Sequence, residues 1–116
     1  MTTSLSTVMF PEDLRSLGFA AIGVNYAPIG TGFENPARIM FLQNLTDQSL
    51  LFSWNGVDNH LLLPSTGFIV LDVTSNKSMP AGIACFRQGT RIYVKDLLTP
   101  VTSGAVFLSV FFGEVI

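Results

Sequence analysis

The segment Val106-Phe107-Leu108-Ser109-Val110-Phe111-Phe112 constrains this chain most, because it is apolar at all but one position. Successive side chains of a β-strand point to opposite faces, so a strand that covers a single core alternates apolar with polar residues. Here Val106, Leu108, Val110 and Phe112 fall on one face, and Phe107, Ser109 and Phe111 on the other. Neither face is suited to water. The composition carries the same excess: 48% of residues are hydrophobic and 12% charged, where an ordinary soluble domain has about 25% charged residues. The expectation is a protein that meets other protein over much of its surface.

A length of 116 residues gives one domain with one core, large enough to need neither disulfides nor metal. Eight acidic and six basic residues lie scattered, with a net charge of -2. There is no basic stripe to neutralise phosphates, so direct nucleic-acid binding is not expected. The single cysteine, Cys85, has no internal disulfide partner and fits a reducing compartment of assembly. The longest uncharged stretch, Leu97 to Gly113, is broken by Thr99, Pro100, Thr102, Ser103 and Gly104. It reads as a loop and a strand, not as the run of about 20 apolar residues that spans a membrane, and no membrane association is expected. The polar start, Met1 to Thr7, lacks the basic and apolar regions of a signal peptide.

Along the chain, Phe10-Pro11-Glu12-Asp13-Leu14-Arg15-Ser16-Leu17-Gly18 carries helix signals: an early proline, two acids at the positive dipole end and a closing glycine. They predict a helix of at most two turns. Phe19 to Tyr26 reads as a strand interrupted by Gly23, followed by a turn over Pro28 to Gly32. Arg38 to Asn44, Leu50 to Trp54, Leu61 to Leu63 and Phe68 to Val73 read as strands, with Asn55-Gly56 as a tight hairpin signal. Ile83 to Arg87 and Arg91 to Lys95 read as a pair joined at Gln88-Gly89. Arg91, Tyr93 and Lys95 share one face there and Ile92 and Val94 the other. The predicted fold is all-β: an antiparallel β-sandwich or jelly roll of about seven to eight short strands, with an N-terminal arm over residues 1–10, one short helix, and a single domain over residues 11–116.

Residues able to carry chemistry are few. Asp58, His60 and Cys85 are the one set resembling a nucleophile with its base and orienter, but Cys85 lies in an apolar run, where a cysteine acts as a small hydrophobe. No catalytic residue is assigned. One histidine and one cysteine make a poor zinc site, and Asp47, Asp58 and Asp72 lack the dense spacing of a calcium loop and read as turn caps. No metal or cofactor is expected. Gly30, Gly32 and Gly56 are turn glycines without a following helix to bind an anion. Asn44-Leu45-Thr46 and Asn76-Lys77-Ser78 match the glycosylation pattern only by chance. Trp54 and Tyr93 are the candidate contacts for a sugar or a protein, although ten Phe against two Tyr and one Trp favour dry packing. Phe107 and Phe111, if exposed, would each forgo roughly 1.5–3 kcal/mol of burial. Together with Phe10 and Phe112 they are the candidate subunit-interface residues.

The order of Leu14-Arg15-Ser16-Leu17-Gly18-Phe19, Ile29-Gly30-Thr31, Asn35-Pro36-Ala37-Arg38-Ile39, Gln43-Asn44-Leu45-Thr46-Asp47, Ser53-Trp54-Asn55-Gly56-Val57-Asp58-Asn59-His60, Leu71-Asp72, Ser75-Asn76, Gln88 to Lys95 and Thr102-Ser103-Gly104 resembles that of small virion structural proteins of tailed bacteriophages, across nearly the whole chain. Asn55 stands where such proteins often have aspartate before the glycine and serves the same turn. The resemblance implies a non-enzymatic β-rich subunit of a virus particle, assembled in the host bacterial cytoplasm. Its implied partners are the major capsid protein or other virion proteins, and copies of itself, with a trimer favoured. A head decoration or cement role leads; a neck or tail component and a host-glycan or receptor-binding module are the alternatives. In the leading role the arm, Met1 to Phe10, pins neighbouring capsid subunits.

Overall fold

The computed structural model describes residues 7–73 and 85–115 and gives them two antiparallel sheets, as the all-β expectation requires. Among the described residues nine strands are formed: β1 (Thr7–Pro11), β2 (Arg15–Gly18), β3 (Ala27–Pro28), β4 (Ala37–Thr46), β5 (Leu50–Ser53), β6 (Leu61–Leu63), β7 (Phe68–Asp72), β8 (Tyr93–Asp96) and β9 (Gly104–Val115). Sheet A has the order β1-β9-β4-β7, with β2 also on β9; sheet B has the order β3-β8-β5-β6.

The two longest strands, β4 and β9, run side by side from Thr46 opposite Gly104 to Ala37 opposite Phe112 and form the spine of sheet A. Their alternate residues Met40, Leu42, Val106, Leu108 and Val110 point inward and are fully buried. They meet Leu50, Phe52, Leu63, Ile92 and Val94 from the other sheet, with Ile22, Ile29, Phe33 and Val101 closing the gaps. That inner layer is the core, with the interdigitation expected of aligned sheets.

Phe10 to Gly18 is not a helix. Thr7–Pro11 pairs with Val115–Phe111 and Arg15–Gly18 with Leu108–Ala105, so the segment forms one edge of β9. The pairing sum shifts by one residue between the two stretches, which marks a bulge at residues 12–14. The apolar edge of β9 offers more burial than a two-turn helix, whose nucleation is costly in so short a piece. Among the described residues, helical geometry is confined to a 3-10 turn at Phe19–Ala21, so the predicted strand over Phe19 to Tyr26 is also not formed. Residues 7–10 of the expected arm are part of sheet A, and residues 1–6 lie outside the described residues.

The strand predicted over Ile83 to Arg87 does not pair with Arg91 to Lys95. A turn forms, with the Thr90 amide donating to the Arg87 carbonyl at 3.1 Å, but its flanks serve different sheets. Phe86 bridges Ala37 of β4, while Tyr93–Asp96 is a central strand of sheet B; residues 83 and 84 lie outside the described residues. Leu61–Leu63 pairs back onto β5 as expected, through a longer loop than the two-residue turn that Asn55-Gly56 predicts.

Candidate functional site

The β-register decides which apolar side chains the core consumes and which it leaves over. On sheet A, Phe41 lies opposite Ser109 and Val70, Gln43 opposite Phe107 and Phe68, and Ile39 opposite Phe111 and Asp72. These side chains share the face turned away from the core, because their neighbours Met40, Leu42, Leu108 and Val110 are buried within it. Leu45 and Ala105 continue this outer face at one end. Phe68 is 63% exposed, Val70 50% and Leu45 47%. Phe41 and Phe68 pack ring against ring at 5.6 Å. The one ionisable residue at the register positions of this face is Asp72, at the end of β7. The face is thus apolar and nearly uncharged, with Phe68, Val70 and Leu45 its most exposed side chains.

Phe107 and Phe111 therefore stand where the last strand's pattern put them, on a face beyond the core. Phe10 and Phe112 do not join them. They stack on each other at 5.7 Å at the opposite, core-side register of sheet A, level with Ala37. Phe112 there borders a cleft of about 250 Å³ with Asn35, Pro36, Arg38, Cys85, Gly113 and Glu114. Cys85 is exposed, which corrects its reading as a buried hydrophobe: the strand expected to bury it is not formed there. Phe41, Phe68 and Val70 were not singled out from the sequence as contact residues. Their signal was the both-sided apolar pattern of Arg38 to Asn44, which needed the register of β7 to become a surface.

Sheet B carries a second, more polar surface. Tyr93 and Lys95 point outward as the alternation of that strand predicts, while Ile92 and Val94 are fully buried. Lys95 Nζ lies 4.8 Å from the centre of the Tyr26 ring, and the Tyr26 hydroxyl donates to Asn59 Oδ1 at 2.6 Å. Burial, and then the negative charge of Asp58, push the Tyr26 hydroxyl above its ordinary pKa. Trp54 packs inward against the core and edge-on to His60 at 6.0 Å. It is therefore a lid on the core, and Tyr26 rather than Trp54 accompanies Tyr93 on the outer surface. His60 is committed to the loop as well, since its Nδ1 accepts the Trp54 amide proton at 2.9 Å. Asp58 accepts from Asn55 Nδ2 at 2.8 Å.

Asp47, Asp58 and Asp72 are the acidic residues expected to cap turns. Asp47 does so, accepting from the Thr102 hydroxyl and from the Thr102 and Ser103 amides; these bonds, led by the hydroxyl, hold its carboxyl below the ordinary range. Asp72 stands at the end of β7. Among the described residues, no three His, Cys, Asp or Glu side chains are grouped to hold a metal ion, and no helix is long and apolar enough to cross a membrane.

Two buried polar clusters fix these surfaces in place. Arg15 donates to Glu12 Oε1 at 2.8 Å and to the carbonyls of Thr31 and Gly32 at 2.9 and 3.0 Å, and its guanidinium lies 5.4 Å from the centre of the Phe33 ring. Glu12 accepts in turn from the Asn35 amide at 2.9 Å and from Asn35 Nδ2 at 3.1 Å. The bulge at residues 12–14 thus turns an acid and a base inward, clasping the 31–35 corner to the edge of β9. Burial opposes the charge on Glu12, but the hydrogen bonds from Arg15, the Glu34 amide and Asn35 outweigh it and leave the carboxyl below its ordinary pKa. Asn44, fully buried, has Nδ2 within 2.9–3.1 Å of the Gln48, Leu63 and Pro64 carbonyls, and its Oδ1 accepts from Thr46. It is a brace between the sheets, not a glycan acceptor. Comparisons with protein-family models, with curated proteins and with solved structures return no significant match.

Proposed function

We propose that this protein is a non-enzymatic structural subunit of a tailed-bacteriophage particle, acting as a head decoration or cement protein. The observation that carries the reading is the outer face of sheet A, where Ile39, Phe41, Phe68, Val70, Phe107 and Phe111 form a nearly uncharged apolar surface. A freely diffusing monomer is penalised for such a surface, whereas a subunit repeated over a lattice covers it. The resemblance to small virion proteins supplies the setting, and the sandwich supplies a rigid plate with contact surfaces on both sides.

In this role each copy adds a few moderate contacts to its neighbours and to the major capsid protein. Many copies together hold a shell against internal pressure, because linked contacts reinforce one another without any single one being strong. Residues 7–10 of the proposed arm pair with β9 of their own subunit, and residues 1–6 lie outside the described residues.

The test is cryo-EM of purified particles from the phage that encodes the chain. Copies at many capsomer junctions are the expected result. Density confined to one vertex, the neck or the tail would replace cement with a connector or fibre role, and absence from the particle would overturn the proposal.

A further inference from the structure

We infer that the outer face of sheet A is a two-fold interface between two copies of this chain. This deepens the proposed assembly role and rests on it for its biological setting, but its physical argument concerns the isolated protein. Strand β4 is 10 residues long and β7 is 5; at about 3.3 Å per residue and about 4.8 Å per strand, three full rows and the half row of β7 measure about 550 Å². Two copies would cover about 1,100 Å², which clears the roughly 1,000 Å² expected of a specific protein interface.

The chemistry of the face favours its own copy as occupant. Two-fold pairing sets a patch against itself, so a charge near the axis would meet the same charge. Here the polar positions among the phenylalanines are Gln43 and Ser109, with Ser16 opposite Phe107 on the edge strand. Amide and hydroxyl groups both donate and accept, so each is satisfied by an identical partner. Asp72 lies at the end of an edge strand, where it remains hydrated when the centre closes. A foreign partner chosen by charge would find nothing on this face to read. Two twisted sheets meeting in this way pack as the sheets of a sandwich do, with side chains interdigitated across the seam. A two-fold pair uses the whole face, whereas a three-fold ring needs two different complementary surfaces. The inferred pair departs from the trimer that the resemblance favours.

The test is sedimentation equilibrium of the full-length protein over the micromolar range, with circular dichroism to verify folding. Wild type is expected at twice the chain mass. Val70→Lys and Phe68→Lys, both at exposed positions of β7, should raise the dissociation constant at least about a hundredfold, because each dimer would bury two ammonium groups. Leu98→Lys and Val57→Lys, at exposed loop positions off this face, should leave the dimer intact. A monomeric wild type, a trimer, or dimers equally sensitive to the loop variants would overturn the inference. Particle imaging separates the two proposals: a monomer found at capsomer junctions defeats the interface and keeps the role, and a dimer absent from particles does the reverse.

Discussion

Arg15 and Glu12 depend on each other, because either one alone would be a buried charge without its counter-ion. Arg15→Met should cost about 3–5 kcal/mol in urea unfolding, the usual penalty for stranding one member of a buried ion pair. The folded-state pKa of Glu12 lies below its ordinary 4.5, so the carboxylate favours the native state above that value. This contribution is lost as the pH falls through the lower folded-state value. Glu12→Gln should therefore be less stable than wild type near neutrality, with the difference shrinking in acid, as read from unfolding midpoints between about pH 7 and pH 3. Asn44 gives the opposite pH response when made acidic. Asn44→Asp keeps the shape but turns an oxygen toward three carbonyls, so its carboxyl titrates above the ordinary range and the variant loses stability as the pH rises. Little of this was legible in the sequence. The Glu12 and Arg15 spacing of three fits one face of a helix as readily as a clasp, and only the bulge on β9 distinguishes them. Asn44 read as an ordinary strand residue because two of the three carbonyls it braces, those of Leu63 and Pro64, come from 19 and 20 residues away.

Among the elements, β9 was the most legible, since its two-sided apolar pattern announced both a core face and a further apolar face. The helix misreading came from the same neighbourhood: proline, acids and a closing glycine are local signals, and the partner that overrides them is about 95 residues away in sequence. The pair over Ile83 to Lys95 failed for a related reason, because a correct turn does not oblige its flanks to pair with each other when two sheets compete for them. The entry into β9 has a strict requirement. Gly104 has φ +89, and a Cβ there would collide with the Leu45 carbonyl oxygen and the Thr46 backbone. Gly104→Ala must therefore strain its own backbone and push β4 from β9 at the end of the spine. It should cost at least about 1–3 kcal/mol from the backbone conformation alone, seen as a lower urea midpoint with an unchanged denaturant slope, because the surface exposed on unfolding stays the same.

For the molecule as a whole, composition showed an apolar excess too large for one core, but not where it would lie, since that depends on which residues the opposing sheet covers. With the register known, the excess resolves into a buried inner layer and an outer face of sheet A that is nearly free of charge. The two surfaces of the sandwich then predict different responses to salt. Association through sheet A is driven by removing apolar area from water, so it should carry a negative heat-capacity change. It should tighten in sulfate, which strengthens apolar burial, and hold nearly constant between about 0.05 and 0.5 M sodium chloride, since there are few charges to screen. Calorimetric dilution at several temperatures and salt concentrations measures all three. Contact through sheet B, where Lys95 and Asp58 lie beside Tyr26, would instead weaken steeply with sodium chloride as those charges are screened. A steep dependence would move the self-contact to sheet B and leave the outer face of sheet A for the shell.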